Sequence, residues 1–219
     1  SKVQTVFLPD TVSTIGDYAF YYASELSSIN FPTALTSIGD SAFFACQSLT
    51  AVDIPATITQ IGPSAWAACT SLPAITVAAE NPNYTAVDGV LYTKDMTVLK
   101  VYPYAKSGVT FTVPDSVVEL EAYAFAYTGM QSIDGCASLR AIGDSAFYSC
   151  TALKSLPDAP KLETIGERAF YSCKALTSLS FPDSMRSIGE YAFAWCTAVK
   201  TFDSGNGLQE TGKYSVYYC

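Results

Sequence analysis

A short pattern, Ile-Gly-x-x-Ala-Phe, recurs along the chain at a nearly fixed interval. Clear copies, one with Trp in place of Phe, begin at Ile15, Ile38, Ile61, Ile142, Ile165 and Ile188. Neighbouring copies lie 23 residues apart, except across the interval from Ile61 to Ile142, where a degenerate copy begins at Leu120. A fixed period of about 20 to 29 residues is typical of solenoids, whose repeats cannot bury their apolar faces alone. The repeat therefore predicts one stacked array over residues 1–219.

Each repeat also contains apolar residues at the spacing Leu-x-x-Leu-x-Leu, often followed by proline. Leu176, Leu179 and Phe181 form one such triplet, whereas the triplet that begins at Leu153 ends on Asp158. The alternation predicts a short strand of a parallel sheet on the inner face, and the proline, which has no N–H, ends it. The Gly and acidic residue that follow predict a turn and a capped helical turn on the outer face.

Stacking of the repeats predicts columns of aromatic side chains in the core. Strand pairing sets a spacing of about 4.8 Å between successive copies. The expected columns are Phe20, Phe43 and Trp66, and then Phe125, Phe147, Phe170 and Phe193. We therefore interpret the repeated pattern as packing and look for function at the variable positions.

The combined pattern of Leu-x-x-Leu-x-Leu-Pro and Ile-Gly-x-x-Ala-Phe-x-x-Cys resembles the BspA-like, or Treponema pallidum type, leucine-rich repeat family. The resemblance covers almost the whole chain, although Ala23 and Thr128 replace the repeat cysteine. It implies an α/β solenoid, a right-handed array with short helical turns outside. It also implies exported, cell-surface proteins, several of them adhesins for host matrix or plasma proteins. The family offers no catalytic residues and no shared ligand-contacting residues.

One repeat carries an insertion at about residues 78–108. Val90–Thr93 and Thr97–Tyr102 are rich in β-formers and flank Lys94-Asp95, which predicts a β-hairpin that projects from the outer wall. Its tyrosines are candidates for a contact platform, because tyrosine offers contact area at low entropic cost. These are Tyr84, Tyr92, Tyr102 and Tyr104. Local packing of the same tyrosines is the alternative.

The residues between the strand apolars are small and polar, and they form a stripe along the predicted sheet face. Its candidate binding residues are Asn30, Asp53, Thr76, Thr112, Asp134, Ser180 and Asp203. The stripe is interpreted first as a solvated sheet face, since binding hot spots favour Trp, Tyr and Arg. The second interpretation is a hydrogen-bonding surface for a protein or a glycan.

Composition excludes several classes of function. The chain has no histidine and a net charge of −8, which disfavours general-base and metal chemistry and repels nucleic acid. No apolar run is long enough for membrane insertion.

Asp53 and Asp134 lie about four repeats apart, or about 19 Å, too far for a glycosidase pair. The cysteines of the repeat are predicted to be free and buried, with disulfides between neighbouring coils as the alternative. CxxC pairs are also missing, so no cofactor, metal or catalytic residue is expected.

These observations predict a non-enzymatic binding module, secreted or on the cell surface, that mediates protein–protein adhesion. Its partner would be a protein or glycan on a host or neighbouring cell. We expect an export signal outside this segment. The alternative function is a purely structural spacer in a larger surface protein.

Overall fold

The computed structural model describes residues 2–219, and within this range the regular structure is short β-strands joined by turns. Contacts divide the chain into two compact units, one ending at Ser107 and the other from Gly108 to Cys219. Each unit by itself is built on a parallel β-solenoid whose coils contribute short strands at matching positions, with interruptions described below. The prediction of one array over residues 1–219 stays a prediction.

The first unit contains two parallel ladders of strands. The ladder on the Leu-x-x-Leu-x-Leu segments, here called the strand face, contains β1 (Thr5–Val6), β3 (Ser28–Ile29), β5 (Val52–Ile54) and β7 (Ile75–Val77). The second ladder contains β2 (Thr14–Ile15), β4 (Ser37–Ile38) and β6 (Gln60–Ile61). This second ladder was not predicted, and it is unbroken, whereas the strand face pairs only as β1 with β3 and β5 with β7.

The second unit repeats this arrangement. Its strand face contains β11 (Thr110–Thr112), β13 (Ser132–Asp134), β16 (Ser178–Ser180) and β18 (Thr201–Asp203). Its second ladder contains β12 (Glu119–Leu120), β14 (Ala141–Ile142), β15 (Thr164–Ile165), β17 (Ser187–Ile188) and β19 (Glu210–Thr211). Here too the second ladder is continuous, while the strand face is interrupted between β13 and β16.

The outer wall consists of turns, so the predicted short helices, and with them the α/β class, are wrong. The N–H of Phe147 donates to the carbonyl of Ala169 in the next coil at 2.7 Å, while the N–H of Ala146 donates to Gly143 of its own coil at 3.2 Å. An α-helix would need every N–H to bond four residues back. Because alternate N–H groups bond the next coil instead, the segment folds into successive turns. Ser145 accordingly has a φ of 56°.

The repeat glycine is required by the close approach of neighbouring coils. A Cβ on Gly39 would lie 2.3 Å from the Oδ1 of Asp17 and 2.5 Å from its main-chain nitrogen. The same Oδ1 accepts the N–H of Asp40 at 2.8 Å. The acidic residue of the repeat therefore joins two coils, where the sequence predicted a helix cap.

The predicted aromatic columns are confirmed in both units. Successive rings in the second unit lie 5.1, 4.9 and 5.1 Å apart and within 10° of parallel, from Phe125 to Phe193. In the first unit Phe43 stacks on Phe20 at 5.2 Å and on Trp66 at 5.9 Å. Ala and Leu side chains of the repeat enclose these rings, so the column forms the centre of each core.

The insertion is a three-stranded antiparallel meander. It contains β8 (Tyr84–Val87), β9 (Val90–Thr93) and β10 (Val98–Val101). The predicted hairpin of β9 and β10 is present, whereas β8 was missed. Asp88-Gly89 forms the two-residue connection from β8 to β9, and both residues have positive φ. This is the Asp-Gly signal that favours a hairpin.

Loss of one ring from the column should be costly. We expect Phe147→Ala to lower the free energy of unfolding by about 3–5 kcal/mol, because the ring is fully buried between two stacked neighbours. Phe7→Ala is the matched control, since Phe7 is 83% exposed, and its effect should stay within about 0.5 kcal/mol. Urea unfolding followed by circular dichroism measures both, and equal effects would contradict the role of the column.

The turns of the outer wall predict an unusual response to glycine. Ala68 has a φ of 58°, a conformation that costs a non-glycine residue about 1–2 kcal/mol, so Ala68→Gly should be neutral or stabilising. At the neighbouring Ala67, which is buried without positive φ, Gly should destabilise by about 1–2 kcal/mol through lost burial and backbone entropy. Thermal unfolding of the two variants should rank Ala68→Gly above Ala67→Gly, and the reverse order would contradict this account.

Candidate functional site

Alternate side chains of the strand face point outward, as the period-2 pattern predicts. In β5, Val52 and Ile54 are buried while Asp53 between them is exposed. In β16, Leu179 is buried between the exposed Ser178 and Ser180. The main chain of the ladder thus places a row of solvent-exposed polar side chains at fixed spacing.

The strand face of the first unit contains an open groove of about 650 Å³, here called the unit 1 groove. It lies where β3 and β5 are unpaired. Its polar lining includes Ser28, Asn30, Asp53 and Thr76, and its apolar lining includes Phe31, Val52 and Ile54. The structure therefore brings the predicted residues Asn30, Asp53 and Thr76 together in one groove.

Contacts between coils fix the polar side chains of the unit 1 groove. The amide of Asn30 donates to the carbonyl of Leu8 at 2.9 Å, and its Oδ1 accepts the N–H of Leu8 at 2.7 Å. The hydroxyl of Thr76 donates to the carboxylate of Asp53. These bonds hold the side chains in one orientation, which lowers the entropic cost of binding a partner.

A second groove, of about 420 Å³, lies on the strand face of the second unit and is here called the unit 2 groove. One wall is the segment 155–160, and the other is β16 with Phe181 and Pro182. Its floor includes Ile142, Ile165 and Phe170, which otherwise belong to the core. An apolar floor between polar rims is the usual composition of a ligand site.

The unit 2 groove arises from two departures from the repeat. Pro157 stands where the next coil has Ser180, and Asp158 stands where it has Phe181. Pro157 and Ala159 are buried while Asp158 is exposed, so the inward-facing positions shift by one residue. Proline also lacks the N–H that a ladder needs. The coil therefore forms no strand here, and the space beside β16 stays open.

The remaining stripe residues form two pairs. Thr112 lies opposite Asp134 in β11 and β13, and Ser180 lies opposite Asp203 in β16 and β18. All of them are exposed. Ser180 alone of these lines the unit 2 groove, and no sequence pattern distinguishes it from the other stripe residues.

Three of the four tyrosines predicted as a contact platform are buried. Tyr84, Tyr92 and Tyr102 are 7%, 1% and 4% exposed, whereas Tyr104 is 38% exposed. The hydroxyl of Tyr84 accepts the N–H of Ile61 at 2.8 Å, and burial raises the pKa of Tyr92 to about 12. Burial removes these three side chains from the surface, so a platform built on them is a wrong prediction, and Tyr84 belongs to the core of the first unit.

The repeat cysteines are free thiols that bond the main chain of the preceding coil. Cys173, for example, donates to the carbonyl of Phe147 at 3.1 Å. Burial raises the pKa of Cys46 and of Cys150 to about 11. Within residues 2–219 no three potential metal-ligating side chains of His, Cys, Asp or Glu come together.

The outer wall carries exposed aromatic side chains in both units. Tyr18, Tyr21 and Tyr22 are about half exposed, and the ring of Tyr21 lies 4.7 Å from that of Tyr22. In the second unit the rings of Trp195 and Tyr218 stack at 4.5 Å.

The described residues, 2–219, include no helical segment with the length and hydropathy of a membrane span.

The model of the BspA type leucine rich repeat region matches residues 1–93 and 118–219, in six copies. The chain belongs to this family. No functionally curated protein matches it.

Solved structures of bacterial proteins are similar to this member of the BspA-type family. The pneumococcal vaccine antigen PcpA is 28% identical with a TM-score of 0.87, over 98% of this chain and 55% of that protein. A leucine rich cell surface protein from Faecalibacterium prausnitzii A2-165 is 29% identical with a TM-score of 0.70, over 93% of this chain and 60% of that protein. The chain thus spans less than two thirds of either relative.

Thiol reactivity tests the packing of the cysteines. Cys219 is exposed while the other six are buried. Because only a thiolate reacts, and burial both shields the thiol and raises its pKa, we expect one fast-reacting thiol at pH 8 in the folded protein. Titration with a disulfide reagent measures the number of reactive groups, with the denatured protein as the control that should yield all seven. Two or more fast thiols in the folded protein would contradict the buried ladder.

Proposed function

We propose that this chain is a non-enzymatic binding module, secreted or displayed on a bacterial cell surface, that holds a partner protein on its strand face. The observation that carries the proposal is the pair of grooves, each with a buried apolar floor and exposed polar walls. Two similar proteins are described as a vaccine antigen and as a cell surface protein, which supports a surface location.

The grooves have the composition of a protein interface. Such interfaces combine an apolar centre with a polar rim and use a few anchors that fill pockets. In the unit 2 groove the partly exposed Leu156 and Pro182 offer apolar surface, and Ser178 and Ser180 offer the rim. Because the ladder fixes the backbone beneath these side chains, a partner would order little of the protein on binding.

Net charge indicates which partners are favoured. With 20 acidic and 12 basic residues the chain carries a charge of −8. Opposite charge accelerates association and discourages partners of like charge. A basic protein surface is therefore the best electrostatic match, and adhesion to matrix proteins of a host is the specific role that we propose.

A structural spacer is the alternative function, favoured by the continuous second ladder in each unit. A spacer needs stiffness but no partner for its strand face. The two functions therefore differ in one measurable property, which is specific binding through the grooves.

The test is surface plasmon resonance with the immobilised chain and purified fibronectin, laminin and mucin as probes. We expect a Kd at or below the micromolar level for a protein probe. Asp53→Arg in the unit 1 groove or Ser180→Arg in the unit 2 groove should weaken binding at least tenfold. Each replaces a small or acidic exposed side chain by a long cation, which obstructs a groove and repels a basic partner.

The matched control is Thr151→Arg, which places the same cation on an exposed turn away from both grooves. It should bind like the parent protein. Equal loss of binding in the control would indicate a general charge effect, and absence of binding to every probe would favour the spacer.

A further inference from the structure

Strand β16 has one unpaired edge. The N–H of Phe181 donates to the carbonyl of Asp203 in the next coil at 3.1 Å. Because main-chain groups alternate between the two edges of a strand, those of Ser178 and Ser180 are directed to the opposite edge. Within residues 2–219, β16 pairs only with β18, and no main-chain hydrogen bond joins it to segment 155–160.

The unpaired edge borders the unit 2 groove. Ser178 and Ser180 are exposed and line it, so two N–H groups and two carbonyls face open space of about 420 Å³. The corresponding edge of β13 is occupied by β11, and that of β18 is occupied by β16. The missing strand of the coil at 155–158 therefore leaves the position of one strand vacant beside β16.

The floor of this position is selective for an apolar side chain. Ile142, Ile165 and Phe170 are each at most 2% exposed over their whole surfaces, yet they line the groove. A strand placed along β16 would point alternate side chains toward this floor and toward solvent. One apolar residue of such a strand would cover the floor, and its neighbours would face outward.

One carboxylate borders the groove. Asp158 is exposed in the wall opposite β16. Burial, Asp134 and Asp158 together raise the pKa of the Cys136 thiol to about 12, so both carboxylates act on the same part of the strand face. The ammonium of the nearby Lys154 is held by the side-chain oxygen of Gln131 at 2.8 Å. Opposite charge on a partner would be attracted here.

We propose that the unit 2 groove binds an extended segment of a partner protein, which adds a strand to the free edge of β16. One apolar side chain of the segment covers Ile142, Ile165 and Phe170, and an adjacent lysine or arginine lies beside Asp158. Main-chain hydrogen bonds give the affinity of such strand addition, and the pocket gives its specificity. The inference rests on the proposed protein-binding function and assigns it to a defined site.

The experiment uses pentapeptide pools with blocked ends and ¹⁵N NMR of the intact chain. The central residue is leucine in one pool and aspartate in the other, and the flanking positions are mixtures of Lys, Arg, Thr and Val. We expect the leucine pool to shift the amide signals of Ser178 to Phe181. The aspartate pool should bind at least tenfold more weakly, because it would bury a charge on an apolar floor.

Methylation of the peptide main chain distinguishes strand addition from simple apolar contact. Two further leucine pools carry one N-methyl group, either on the central amide or on the amide that follows. Adjacent amides point to opposite edges of a strand, so one methylation should weaken binding at least tenfold and the other should weaken it less. Equal binding of both methylated pools and the parent pool would overturn the proposal.

A pair of protein variants tests the same bond from the other side. Ser180→Pro removes an N–H on the unpaired edge, where proline is tolerated, and should weaken binding of the leucine pool at least tenfold. Ser180→Ala keeps the N–H and should bind like the parent. Unchanged thermal unfolding of both variants shows that the fold is retained. If Ser180→Pro does not fold, the methylated pools alone decide the result.

Failure of this inference is distinguishable from failure of the proposed function. If no pool shifts β16 signals at millimolar concentration, the strand-addition site is absent. Binding of a matrix protein that Asp53→Arg weakens would then still support the binding function through the unit 1 groove. Loss of both kinds of binding would contradict the two proposals together.

Discussion

Main-chain hydrogen bonds between coils are the interaction on which the rest of this structure depends. On the outer wall alternate N–H groups donate to the next coil, as Phe147 does to Ala169, and the others close turns within their own coil. A buried main-chain group without a partner is costly, so this pattern commits the segment to one spacing between coils. The stacked rings and the buried thiols follow from that spacing, because each copy must contact its counterpart in the next coil.

The same constraint explains why the two walls of each unit differ. The outer wall must approach closely, which requires glycine at positions such as Gly39 and positive φ at residues such as Ser145. The strand face is interrupted in each unit, and the array tolerates this because the second ladder already connects successive coils. Openings are therefore possible on the strand face without loss of the array, and the unit 1 and unit 2 grooves both lie there.

The sequence predicted the stacked core well because its signal is periodic and local. It did not predict the turns of the outer wall, because Ala-Phe-x-x-Cys has the spacing of an amphipathic helix. Hydrogen bonds to the next coil produce no pattern within a single repeat that would distinguish turns from a helix. The Asp88-Gly89 pair is a hairpin signal that indicates a strand on each side of it, and therefore β8 before Val90. Burial of Tyr84, Tyr92 and Tyr102 could not be predicted, because it depends on how the meander packs against its unit.

The unit 2 groove forms where one coil departs from the repeat. Asp158 breaks the apolar triplet in the sequence. The structural effect of this break depends on Pro157, which lacks an N–H, and the inward-facing positions shift by one residue. Either change alone would have a smaller effect. With an apolar residue at position 158 the core would still be covered, and with an N–H at position 157 the main chain could still pair with a neighbouring strand. Together they leave an open groove lined in part by core residues, and they leave β16 with a free edge. A coil that leaves these groups unpaired beside an apolar lining, as this one does at β16, is a place where an external strand would be stabilised.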